Sequence, residues 1–153
     1  MIIFLFNIIL LISLPLSSES CSCVEIRTEK EGYCTTSWIS KVKILSKENS
    51  GLGFFMAYRL EHINVIKAPD NTTLPEIMNT STQESACGQT GFKVGKEYIL
   101  GGSLHDDDSL FITFCNWRVP LKYIDEKKLE LKPSWQKFVE SVGTCPSPPT
   151  NLL

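Results

Sequence analysis

The chain has 153 residues, with 15 Lys and Arg against 17 Asp and Glu and a formal net charge of −2. So even a balance gives no basic surface for nucleic acid or an anionic membrane, and the length suits one domain rather than several. From Ile2 to Leu16 the sequence is apolar apart from Asn7, Ser13 and Pro15. This run is shorter than the ~20 residues a membrane-spanning helix needs. Ser18 and Ser20 place small residues at the third and first positions before a cut, although the usual positive charge near Met1 is missing. The expectation is a signal peptide over residues 1–20, with cleavage after Ser20 making Cys21 the first residue of the mature chain. A cut one or two residues earlier is the alternative.

All six cysteines, Cys21, Cys23, Cys34, Cys87, Cys115 and Cys145, follow that cut. An even set in an exported chain reads as three disulfides, with many connectivities open. Zinc ligation is the competing use of cysteine, but the chain has no Cys-x-x-Cys pair, and His62 and His105 are far from any cysteine in sequence.

The first strand signal is "SWISKVKILS", which puts Trp38, Val42 and Ile44 on one face and Lys41 and Lys43 on the other. After a hairpin loop over Ser46 to Gly53 comes "GFFMAYRLEHINVIK", rich in aromatic and β-branched residues and long enough to bend around a barrel. The polar stretch from Pro69 to Glu84 reads as a surface loop and carries two glycosylation sequons, at Asn71 and Asn79.

Next come "KEYILGGSL" and "SLFITFC", a second hairpin whose tip holds Asp106, Asp107 and Asp108. Their spacing does not fit a calcium loop, and a solvated acidic turn is the simpler reading. Gly101 and Gly102 suit a bend or a close backbone approach. After Pro133, Trp135, Phe138, Val139 and Val142 form one helical apolar stripe, with Gly143 as its stop. Residues 146–153 are a short proline-rich tail. Several irregular strands and one late helix predict a mainly β protein, a small closed or partly closed barrel.

The order of Cys21-Ser22-Cys23 behind the leader, Cys34, "WISKVKIL", "YRLEHINVIK", "ESACG", "YILGGSLHDDDSLFITFC" and Cys145 after an amphipathic helix resembles the amino-terminal domain of the tissue inhibitors of metalloproteinases. The resemblance covers residues 21–145. It implies a netrin-like module, an OB-fold-like five-stranded barrel with flanking helices. It also implies bridges Cys21 to Cys87, Cys23 to Cys115 and Cys34 to Cys145.

The activity so implied is inhibition of secreted or cell-surface zinc metalloproteinases by a secreted, monomeric protein that is not an enzyme and has no cofactor of its own. The metal concerned is the target's zinc. A catalytic zinc keeps an open coordination position, which the free amine and carbonyl of Cys21 would occupy as a chelate. An α-amino group with a pKa of about 7.7–8 is partly neutral at physiological pH, and metal binding displaces the remaining proton. Ser22 would enter the primed-side specificity pocket, with Cys23 and Val24 continuing along that side. Glu84, Ser85 and Ala86, before Cys87, would fill the unprimed side.

Three features depart from the family. The proline usual after the second cysteine is replaced within "VEIR" (Val24 to Arg27), the interval from Cys23 to Cys34 is one residue longer than in the vertebrate members, and the expectation is that their second six-cysteine domain is missing here. The alternative is a non-inhibitory netrin-like module that binds extracellular matrix or a signalling partner. A hydrolase built on His105 and Asp106 with Ser103 or Ser109 is a weaker reading, since neighbours on one hairpin do not by themselves form a triad. A single-strand nucleic-acid binder on the same barrel lacks a basic groove.

Overall fold

The computed structural model describes residues 21–49, 53–69, 72–105 and 109–146. The leader, the Asp106–Asp108 turn tip, Asn71 and most of the proline-rich tail lie outside these residues.

The first element is a short helix, α1 (Glu29–Thr35). Thr28 caps it, its Oγ1 accepting from the Glu31 amide at 3.1 Å, while Glu31 Oε2 accepts from the Arg27 amide at 3.0 Å. This is close to a reciprocal capping box, and it satisfies amide donors that a helix start leaves without partners. Gly32 is the buried residue of α1, and a Cβ there would lie 2.1 Å from Trp117 Cδ1. Glycine therefore lets the helix lie flat on that indole.

Two long strands, β1 (Trp38–Asn49) and β2 (Phe55–Lys67), pair antiparallel with three register irregularities. The hairpin connection is thus shorter than the Ser46–Gly53 loop expected from sequence. Trp38, Val42 and Ile44 of β1 are fully buried, as are Tyr58 and Leu60 of β2. β3 (Ile77–Ser81) pairs antiparallel with β2, β4 (Glu97–Leu104) pairs antiparallel with β1, and β5 (Leu110–Phe111) joins β4 antiparallel and β3 parallel. The order β1-β2-β3-β5-β4 closes into a five-stranded barrel. Trp38, Val42, Ile44, Tyr58, Leu60, Met78 and Leu110 fill its interior. Each such side chain contributes about 1.5–3 kcal/mol through burial.

The structure departs from the sequence expectation in two places. The segment read as one surface loop, Pro69 to Glu84, contains β3, a barrel strand. Its inward residues are Met78 and the fully buried Thr80, and the Thr80 hydroxyl accepts the Gln89 amide at 2.8 Å. Only one apolar side chain marks the alternation, so the strand period is hidden by threonine doing an interior job through a hydrogen bond. Asn79, of the second sequon, therefore sits on a half-buried strand position opposite Ala57 and Phe111. The second lies in "SLFITFC", where the strand stops at Phe111. Ile112 still donates to the Asn79 carbonyl at 3.0 Å, but Asn116 Oδ1 takes the Thr113 amide and turns the chain out of the sheet.

Gly101 and Gly102 stand where backbones approach closely: a Cβ at Gly102 would fall 2.2 Å from the Phe111 carbonyl oxygen. His62 ties loop to barrel, one ring nitrogen 3.0 Å from Ser40 Oγ and the other 2.9 Å from the Pro75 carbonyl.

Outside the barrel lies a second, aromatic core. β6 (Ile124–Asp125) and β7 (Glu130–Leu131) form a small ribbon, followed by α2 (Pro133–Val142), which has Pro at its start and Gly143 at φ 64° at its end. Trp135 and Val142 are buried, and Trp135 packs with Tyr33, Trp117, Tyr123 and Phe138 at ring separations of 5.4–6.3 Å. Lys67 lies over the Tyr33 ring and donates to the carbonyls of Tyr33 and Thr36, closing the C-terminal end of α1. Burial pushes its pKa below the ordinary lysine value. Among the described residues no helix is long and apolar enough to cross a membrane.

Candidate functional site

The chain enters the fold as an irregular segment, residues 21–28, before α1. Two disulfides hold its start: Cys21 to Cys87, with Cα atoms 5.0 Å apart, and Cys23 to Cys115, at 5.2 Å. The two bridges touch. Cys115 Sγ lies 3.3 Å from Cys87 Sγ and 3.5 Å from Cys21 Sγ. The third bridge, Cys34 to Cys145, joins α1 to the chain just beyond α2. No described cysteine is free. The four sulfurs of Cys21, Cys23, Cys87 and Cys115 lie within 4.8 Å of one another, yet zinc binds cysteine as thiolate, so in this bonding state they form a double cross-link.

The partner segment is built with equal care. Glu84–Ala86 form a single 3-10 turn, and Cys87 follows in the left-handed region at φ 57°, its amide donating to the Glu84 carbonyl at 2.9 Å. A left-handed non-glycine residue costs about 1 kcal/mol or more, which the disulfide and the turn bonds offset. Gly88 comes next because a Cβ there would stand 2.0 Å from the Ser81 carbonyl oxygen. The Cys87 carbonyl accepts the Phe114 amide at 2.7 Å. Three chain segments around Cys21, Cys87 and Cys115 are thereby locked side by side.

What this lock presents to solvent is a ridge. Ser22, Cys23 and Val24 are exposed, Val24 at 90 %, and so are Glu84, Ser85 and Ala86. The structure thus brings the two sequence-predicted segments together at one place, joined by Cys21 to Cys87. Phe114, expected from sequence in a strand, stands on the same lock with 63 % of its surface exposed and the Arg118 guanidinium 5.2 Å from its ring centroid. The alternation of Leu110 and Ile112 runs on through Phe114, so the sequence carries no mark that sets it apart. His105, in contrast, stacks its ring on Phe111 at 4.8 Å. Asp106 lies outside the described residues.

A family model described as tissue inhibitor of metalloproteinase matches residues 19–147. This chain belongs to that family. Among relatives, it is 32 % identical over 112 residues to the "Putative metalloproteinase inhibitor tag-225" of Caenorhabditis elegans, covering 66 % of this chain and 69 % of the relative. It is 25 % identical over 155 residues to metalloproteinase inhibitor 2 of Cavia porcellus and, over the same span, to that of Homo sapiens. Each of these alignments takes in 94 % of this chain and 69 % of the relative. Family membership of the tissue inhibitor kind makes the protein an inhibitor by descent rather than an enzyme.

Proposed function

We propose that this protein is a secreted inhibitor of zinc metalloproteinases, acting through the mature amino terminus at Cys21. The supporting observation is the double disulfide lock, which holds an exposed, otherwise unstructured segment, 21–24, against a second exposed segment, 84–87. A protein gains nothing in core burial from fixing such a segment. It gains a wedge whose ordering entropy has already been lost before binding.

In this reading the α-amine and carbonyl of Cys21 fill the open position of the target's zinc, and Ser22 points into the adjoining specificity pocket. Val24 lies along one side of the cleft and Glu84, Ser85 and Ala86 along the other, with Phe114 adding apolar contact beside Cys115. The inhibitor needs no cofactor, and its partners are secreted or cell-surface metalloproteinases in the extracellular space. The signal peptide over residues 1–20 serves the mechanism as well as export, since only its removal frees the amine. The inhibitory domain spans residues 21–145, and Asn71 and Asn79 are the glycan acceptors.

The test is one alanine added ahead of Cys21, or acetylation of its amine. Either change crowds the zinc position and removes the basic lone pair, while barrel and bridges are untouched. The expected outcome is loss of inhibition in a metalloproteinase titration with an unchanged thermal unfolding midpoint. Equal inhibition by native and extended forms would overturn chelation by Cys21. Failure of the native form against every metalloproteinase tried would favour a matrix- or partner-binding netrin-like module.

A further inference from the structure

The two bridges of the ridge are close enough to react with each other. Cys23 is exposed, whereas Cys21, Cys87 and Cys115 are partly covered. An outside thiolate therefore reaches the sulfur of Cys23 first. Attack there forms a mixed disulfide at Cys23 and expels the Cys115 thiolate. While still bonded, Cys115 Sγ lies 3.3 Å from Cys87 Sγ and 3.5 Å from Cys21 Sγ, so the released thiolate has the neighbouring bridge within reach.

Displacement at Cys87 makes a Cys87–Cys115 bridge and releases the Cys21 thiolate. Cys21 Sγ is 3.9 Å from Cys23 Sγ, and Cys-x-Cys spacing brings both side chains to the same side of an extended chain. Its attack on the mixed disulfide closes Cys21–Cys23 and returns the outside thiolate. Two disulfides are present before and after, no electrons are gained or lost, and the thiol is a catalyst.

The geometry points to a thiol-triggered interchange switch: a small extracellular thiol converts the Cys21–Cys87 and Cys23–Cys115 pair into Cys21–Cys23 and Cys87–Cys115. The amino-terminal segment is then cut loose from residues 87 and 115 without any loss of disulfide content. Cys34–Cys145 takes no part. The consequence for activity rests on the inhibitor reading above, because an untethered segment must be ordered anew in every encounter with a protease. The sulfur chemistry itself does not depend on that reading.

Trypsin separates the two states. Oxidised secreted protein is incubated with a substoichiometric amount of glutathione at mildly alkaline pH, where a thiol of pKa about 8.5 is partly ionised. It is then alkylated and digested without reduction. In the native pairing the peptide ending at Arg27 stays joined to peptides 68–93 and 97–118. After interchange it is released with an internal bridge, and 68–93 remains joined to 97–118 alone.

The expected result is release of that peptide without alkylated cysteine, and loss of inhibition in proportion to the released fraction. Persistence of the three-peptide species, or alkylated cysteines in place of release, would overturn the interchange. Release with inhibition fully retained would overturn the switch. If the native pairing never inhibited a metalloproteinase while release still occurred, the inhibitor reading would fail and the interchange would stand.

Discussion

Ser22 stands exposed between two bridged neighbours, and in the proposed function it is the side chain on which specificity turns. Ser22→Gly is expected to weaken inhibition by removing the group that fills the pocket. Ser22→Arg is expected to nearly abolish it, since burying an unpaired charge costs several kcal/mol. Inhibition constants for both variants check this, and no change in either would mean that Ser22 stays outside the cleft. Glu29 works at the same scale for stability. Its carboxylate meets Lys122 Nζ at 2.6 Å and accepts from the Tyr123 hydroxyl at 3.0 Å, joining α1 to the turn before β6. The Lys122 hydrogen bond holds its pKa below the ordinary glutamate value. A depressed carboxylate stabilises above its unfolded pKa of about 4.3 and loses that contribution as pH falls through the folded value. Glu29→Gln should therefore unfold at a lower temperature than wild type at neutral pH, the gap being small for so exposed a pair. The gap should narrow and close as the pH falls through the depressed folded value, and a constant gap across a melting series from neutral to acid would refute the assignment.

Among the elements, the turn from Ser81 to Gly88 carries the most consequence for its length. Gly88→Ala drives a Cβ into the Ser81 backbone, which cannot yield as a flexible side chain would. The 3-10 turn and Cys87 must shift instead, at about 1–3 kcal/mol. The expectation is a lower melting temperature together with weaker inhibition measured well below it. Gly91→Ala, with no atom within 4 Å of the added Cβ, should change neither. Equal behaviour of the two variants would show that the ridge does not depend on the turn. The same scale explains how far the sequence could be read. β1, β2 and α2 announce themselves because their apolar residues recur at the period of the element, as Trp38, Val42 and Ile44 or Trp135, Phe138 and Val142 do. β3 is silent because its buried positions include Thr80, satisfied by a hydrogen bond that only the closed barrel provides. α1 is too short for a period, and its one legible mark is the Thr28 to Glu31 cap. Phe114 reads as a strand residue because the turn that takes it out of the sheet is set by a side-chain hydrogen bond, from the Thr113 amide to Asn116 Oδ1, and leaves the apolar alternation intact.

The whole molecule divides its covalent ties between two tasks. The barrel core and the two touching bridges fix the ridge, while the aromatic layer of α1, α2, Trp117 and Tyr123 packs on the barrel's outside. Cys34–Cys145 belongs to that outer layer and closes a sequence separation of 111 residues. In the chain-entropy model such a loop is worth about 4–5 kcal/mol, a large share of the stability of a domain this size. Replacing both partners, Cys34→Ala with Cys145→Ala, leaves no odd thiol to disturb the other bridges. The double variant is expected to melt roughly 10–20 °C lower. Below that midpoint it should inhibit a metalloproteinase as well as the native protein, since none of the contacts that lock Cys21, Cys87 and Cys115 passes through either position. Calorimetry beside an inhibition titration decides it. A folded double variant that has lost inhibition would show that the ridge is held through the helical layer, and the division of labour between the bridges would have to be abandoned.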